Sequence, residues 1–178
     1  DFTLNPFPFL SIYDAGGTDT IDLSGFNAGV FLDLHAGSFS SAAQAVPTAA
    51  VVNANRDGLE DIFGPLGDFS QAQVTGISNS YINYNANRIG QDTGVGGVAA
   101  TASMNLSIAY GVTIENGTGG ALRDVIWGNE VANVLRGLGG NDVLNGFEGK
   151  DTLWGGTGAD VFQFSFIEKG DKIADFEA

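Results

Sequence analysis

From Gly119 to Gln163 the chain repeats itself every nine residues: GGALRDVIW, GNEVANVLR, GLGGNDVLN, GFEGKDTLW, GGTGADVFQ. Glycine opens each unit, at Gly119, Gly128, Gly137, Gly146 and Gly155. Asp or Asn stands sixth, at Asp124, Asn133, Asp142, Asp151 and Asp160. A large apolar residue stands eighth, at Ile126, Leu135, Leu144, Leu153 and Phe162. A fixed period of this kind marks stacked structural repeats. Collagen is excluded, because its glycine returns every third residue. Glycine and aspartate are poor helix formers, so the array does not read as helix.

Each nonapeptide divides into a six-residue turn and a three-residue strand. Strand alternation sends the eighth residue inward and its two neighbours outward. Glycine permits the positive φ values that tight turns demand. Two units make one coil, so turns stack eighteen residues apart. Turn 119–124 then lies on 137–142, 137–142 on 155–160, and 128–133 on 146–151.

Such stacking brings the sixth-position carboxylates together, where like charges repel. The whole chain has the same problem: 7 Lys and Arg against 21 Asp and Glu leave a net charge of -14. That self-repulsion opposes a compact state unless cations compensate. It also excludes nucleic acid, whose phosphates need basic patches, and anionic membrane surfaces. Calcium resolves the repulsion, since it accepts roughly six to eight hard oxygen ligands in flexible geometry. Magnesium wants a tighter octahedron and keeps more of its water. Zinc prefers nitrogen or sulfur, and the chain has one His and no Cys. That one histidine, His35 in FLDLHAG, reads as a structural or solvent-facing strand residue. The expected fold is all-β: a calcium-binding parallel β-roll with flanking strands and an inserted segment. Its thin strands bury little apolar area, so metal binding supplies much of the folding free energy.

Three zones are expected: 1–35, strands leading into the roll; 36–105, an atypical insertion; and 106–178, the roll itself. The apolar content, 43%, is enough for a core. Without cysteine there is no disulfide, and no apolar run reaches transmembrane length. The opening DFTLNPFPFL lacks a basic n-region and reads as an internal start rather than a signal peptide.

The insertion is the least patterned zone. DGLEDIFG suggests a short helix with Asp57 as N-cap and Leu59, Ile62 and Phe63 on its buried face. RDGLED lacks the alternating oxygens of an EF-hand. The Asn- and Tyr-rich piece ISNSYINYNANRIGQDTG reads as an extra hairpin packed on the roll, with partner or carbohydrate binding as the alternative. Trp127 and Trp154 close their nonapeptides and are expected to cover the sheet's outer face or meet a neighbouring domain. Carbohydrate stacking is the other reading of these two residues.

The nonapeptides resemble the calcium-binding repeats of RTX proteins. SIYDAGGTDTIDLSGF, SIAYGVTIENG, GNEVANVLRGLGGNDVLNG and the closing GDKIADF together resemble the serralysins, secreted bacterial zinc metalloproteases of the metzincin clan. The resemblance covers residues 9–40 and 105–178. It implies a C-terminal β-roll domain downstream of a zinc-bearing catalytic domain. The His-Glu-x-x-His motif of such a domain is not in this chain, which is therefore expected not to cleave peptides.

The family's calcium ligands carry over residue by residue. In YDAGGTD they fall on Asp14, Gly16, Gly17 and Asp19; in GVTIEN, on Thr113 and Glu115. In the repeats the sixth-position side chains are implied as ligands, together with carbonyls of the turn. The first two turns offer the carbonyls of Gly120, Leu122, Asn129 and Val131. The third offers Gly137, Leu138 and Gly140; the fourth, Gly146, Phe147 and Gly149; the fifth, Gly155, Gly156 and Gly158. Glu168 and Asp171 match the acids that close the last sites.

The chain departs from the family pattern in places. Leu122 and Val131 replace the fourth-position glycine, so strained or altered turns are expected there. Asn133 removes one charge from the pair of turns 128–133 and 146–151, which should make that site the weakest. The 42–104 stretch is much longer than the family's usual connection. The resemblance implies a secreted, extracellular protein whose partners are the parent's catalytic domain and, during export, a type I secretion apparatus. The resemblance implies a secretion signal after the roll, and the chain, ending just after DKIADF, reads as truncated before it. The alternatives are a calcium-dependent adhesion module, or the RTX tail of a lipase or epimerase.

Overall fold

The computed structural model describes residues 10–42, 46–57, 60, 67–100, 102, 104–165 and 170–176. Strands β1 (Leu10–Ile12), β2 (Thr20–Asp22), β3 (Phe31–Asp33) and β4 (Phe39–Ser40) precede two helices, α1 (Ala49–Asp57) and α2 (Gln71–Thr93). Strands β5 (Leu106–Ile108) and β6 (Asn116–Thr118) lead into the array. The array supplies β7 (Val125–Asn129), β8 (Val134–Gly139), β9 (Val143–Phe147), β10 (Thr152–Thr157) and β11 (Val161–Gln163), and β12 (Lys172–Ile173) follows it.

Alternate strands go to different sheets. One sheet runs β12-β10-β8-β6-β2 and the other β11-β9-β7-β3, with all their pairings parallel. Val125 pairs with Val143 and Val143 with Val161, while Val134 pairs with Thr152. The register is therefore eighteen residues, two nonapeptides per coil, as the period predicts. Parallel sheets wound this way fit a β-roll. A third sheet, β1-β5-β4, adds one antiparallel pairing. The strands run past the expected three residues: β8 and β10 each have 6, reaching into the following turn.

The eighth-position residues form the core. Ile126, Leu135, Leu144 and Leu153 are 0–1% exposed, and full burial of such a side chain stabilises by about 1.5–3 kcal/mol. They pack with Leu23, Phe26, Leu32 and Leu34 from the N-terminal zone. The first zone thus completes the same core that the repeats build.

The all-β expectation needs correction. In place of an extra hairpin, the insertion forms α1 and α2. Asn and Ser are indifferent helix formers, but α2 has strong ends. Ser70 and Gln73 make a reciprocal capping box, and Gly94 closes the helix in the left-handed conformation at φ 74°. Val74, Asn85 and Ile89 are its buried residues, spaced to fall on one helical face. Ile89, Val95, Val98 and Ala100 pack on Phe31, Val125 and Val143, with Trp127 alongside. The insertion covers the outer face of the β3-β7-β9 sheet, so Val125 and Val143 point outward yet remain buried. Asp57 is the last residue of α1. The short helix expected after it rests on Leu59, Ile62 and Phe63, which lie outside the described residues.

Candidate metal centre

The sixth-position side chains link one coil to the next. The backbone N–H of Asp124 donates to Oδ1 of Asp142 at 2.8 Å, and that of Asp142 to Oδ1 of Asp160 at 3.0 Å. On the opposite edge Asn133 donates to Oδ1 of Asp151 at 2.9 Å, and Asp151 to Oδ1 of Asp171 at 3.2 Å. Val30 begins the first ladder, donating to Oδ1 of Asp124 at 2.8 Å. One carboxylate oxygen per turn thus satisfies a backbone donor that burial would otherwise orphan.

The second oxygen is treated differently along the array. Asp124 Oδ2 accepts from Gly120 N at 2.6 Å, so both of its oxygens are satisfied. Asp142 is 0% exposed, yet its Oδ2 has no hydrogen-bond partner. A buried acceptor in that state carries a desolvation cost of about 1–3 kcal/mol, more if charged. Burial and the nearby Asp160 charge push the Asp142 carboxyl up to about 7, although the bond from the Asp124 amide and the charge of Arg123 work against the rise. Burial likewise raises Asp124 to about 8, with the charge of Asp142 adding to it.

Position-one glycine answers to this carboxylate. A Cβ at Gly119, Gly137, Gly146 or Gly155 would collide with the aspartate five residues on, and one at Gly128 with Asn133. None of these five has a positive φ, so close approach, not backbone freedom, is what demands glycine there. Positive φ falls at the fourth position instead, at Gly140 (129°), Gly149 (114°) and Gly158 (139°). It also falls at the second: Leu138 (78°), Phe147 (66°) and Gly156 (94°). A Cβ on the fourth-position glycines would strike the carbonyl of Leu122, Val131 or Gly140 in the coil before. Left-handed Leu138 and Phe147 cost strain that the neighbouring coils must hold in place. Of the strained or altered turns expected at Leu122 and Val131, the structure has the altered kind: neither residue has a positive φ. They begin the fourth-position stacks and need not fit over an earlier repeat.

At the N-terminal end, Asp14, Asp19 and Glu115 come together. Asp19 N donates to Glu115 Oε2 at 2.8 Å, and Gly16 N to Asp14 Oδ2 at 2.8 Å. Gly16 and Gly17 both take positive φ, at 115° and 142°. Asp19 Oδ2 is a second buried oxygen without a partner, and its carboxyl is raised by burial and by the charges of Asp14 and Glu115. Thr113 is exposed in the same loop as Glu115. Glu168 lies outside the described residues.

Asp175 was not anticipated. Its carboxylate accepts from Gly155 N at 2.9 Å and Gly156 N at 2.7 Å, capping the last turn. Its place in GDKIADF was visible, but the nonapeptide pattern ends before it and assigns it nothing.

Among the described residues no three His, Cys, Asp or Glu side chains are arranged to hold a metal by themselves. A cation here would depend on turn carbonyls as well as carboxylates. That mixture of hard oxygens suits calcium. The partnerless Oδ2 atoms of Asp142 and Asp19 fit it, because a cation satisfies an acceptor that no donor reaches.

Comparison with known proteins agrees with this chemistry. Residues 127–162 match the RTX calcium-binding nonapeptide repeat in 4 copies, and residues 7–68 match the Peptidase M10 serralysin C terminal family. The chain carries RTX repeats and a serralysin C-terminal segment. It is 33% identical over 126 residues to "Metallopeptidase AprA" of Pseudomonas marginalis. It is 34% identical over 126 residues to "Metalloprotease AprA" of Pseudomonas entomophila (strain L48). Each alignment covers 71% of this chain and 14% of the relative. The RTX match begins at Trp127, one turn after the array's first glycine, and so leaves out the unit holding Leu122. The serralysin match runs on to residue 68, through α1 and into the insertion.

Proposed function

We infer that the chain is a calcium-binding β-roll module that supports folding, stability and type I export of a serralysin-like extracellular zinc metalloprotease. The single observation that carries this reading is the buried, partnerless Asp142 Oδ2 inside an array matching the RTX calcium repeat. The carbonyls of the first, second and fourth positions and the sixth-position carboxylates would hold the ions. Bound calcium would neutralise charge that otherwise opposes the coil. Extracellular calcium would then favour folding outside the cell and an extended chain before export. The parent's catalytic domain would carry the zinc and the peptidase chemistry. No helix among the described residues is long and apolar enough to cross a membrane.

Circular dichroism during calcium chelation tests the reading. Chelator should remove a large part of the β signal, and added calcium should restore it. An unchanged spectrum would show that apolar packing alone holds the coil. Metal analysis and a casein assay should find no zinc and no cleavage; peptidase activity in this chain would overturn the non-catalytic assignment. Upstream coding sequence with His-Glu-x-x-His-x-x-Gly-x-x-His would support a protease parent over an adhesin, lipase or epimerase.

A further inference from the structure

The turn 128–133 differs chemically from the turn it stacks on. Asn133 Nδ2 donates to Glu115 O at 3.0 Å, to Ile114 O at 3.3 Å and to Asn129 Oδ1 at 3.1 Å. Asn129 Nδ2 donates to Ile114 O at 2.8 Å and to Leu34 O at 3.1 Å. Asn133 Oδ1 accepts from Asn129 N at 2.8 Å. The amides are 1–2% exposed, and neither leaves an unpartnered atom. Their orientation is dictated by their partners. Reversing the Asn133 amide would set Oδ1 against two carbonyl oxygens and lose the bond from Asn129 N.

Carbonyl oxygens converging on one point are what a calcium turn offers its ion. Here an NH₂ group already occupies that point, and an amide nitrogen cannot serve as a hard-oxygen ligand. This turn therefore does not fit a cation as it stands. We propose that Asn129 and Asn133 form a clasp replacing a cation, so that the coil through residues 106–135 holds without calcium while the turns beyond it need the metal. The inference rests on the calcium reading above and assigns its limits within the chain. The contrast with Asp142 is direct: the clasp closes every polar atom internally, whereas Asp142 leaves one oxygen open. A carboxylate in place of the Asn133 amide would face the Ile114 and Glu115 carbonyls, acceptor against acceptor, and would need a cation between them.

Hydrogen exchange on the 178-residue chain, with and without calcium, tests this. The reporters are ladder amides: Val125 N bonded to Val30 O and Val134 N to Glu115 O on one side, Val161 N to Asp142 O on the other. In chelator, Val125 and Val134 should exchange at least about tenfold more slowly than Val161, because local stability differs between the halves. With calcium the difference should shrink. Asn133→Asp should bind one more calcium ion per chain by titration calorimetry and lose the Val125 and Val134 protection in chelator. If Val125, Val134 and Val161 all lose protection together in the unaltered chain, the clasp is wrong and the calcium reading survives. If none responds to calcium, both fall. Equal calcium stoichiometry in the two proteins would also overturn the clasp.

Discussion

The amide of Asp124 and the carboxylate of Asp142, eighteen residues apart, meet at 2.8 Å across two stacked turns. This bond gives the sixth-position acid a structural duty that is independent of metal. Asp142→Asn keeps an oxygen for the Asp124 amide, whereas Asp142→Ala leaves a buried N–H unsatisfied. In saturating calcium, Asp142→Ala should therefore be less stable than Asp142→Asn by at least about 1–3 kcal/mol in urea unfolding. Equal stabilities would remove the ladder from the account.

In calcium titrations followed by circular dichroism, Asp142→Ala and Asp151→Ala should raise the midpoint more than Asn133→Ala. The two acids would each take a charged ligand from a cation site, while Asn133 is committed to amide hydrogen bonds. Equal shifts would contradict that ranking of the turns.

The raised carboxyls make stability depend on pH in opposite senses with and without the metal. Asp124 near 8 and Asp142 near 7 lie above the ordinary 3.8. Without calcium the folded chain holds protons that the unfolded chain releases, so this contribution is fully present below about pH 4 and fades as pH rises towards 8. Calcium needs the deprotonated form, so its affinity should rise over the same window with protons released. Calorimetry in buffers of different ionisation enthalpy, between pH 6 and 8, would detect the release. Pure water-like carboxylates, releasing nothing, would speak against the burial argument.

Gly146→Ala tests close approach without a change of φ region. Its Cβ would strike Asp151, and overpacking of this kind costs about 1–3 kcal/mol. Gly149→Ala adds backbone strain at φ 114° and a clash with the Val131 carbonyl. Both should lower the thermal midpoint in calcium, Gly149→Ala the more.

Ile89→Ala should loosen α2 from the sheet. Ile89 is 2% exposed, and truncating such a residue costs about 2–5 kcal/mol. Trp127 lies in the same cluster, edge-on to Phe31 at 5.2 Å between ring centroids. Its fluorescence should shift to the red. An unshifted spectrum would mean that the helix does not shield the sheet's outer face.

Sequence alone determined the coil. A nine-residue beat with one inward apolar residue admits few structures, and the eighteen-residue pairing of Val125 with Val143 follows from it. The glycine and acid positions were equally legible, because local turn chemistry repeats wherever the pattern does. Only the tertiary structure decided which duty each of those residues has. Gly137 is demanded by a carboxylate folded over it, Asp124 is satisfied from within while Asp142 is not, and Asn133 turns its amide onto Ile114 and Glu115. The helical insertion was hidden for a related reason. Its Asn-rich sequence has no strong periodic signal, and α2 is stabilised by its caps and by a sheet face distant along the chain. Such contacts depend on what lies opposite each residue, which a local pattern does not encode.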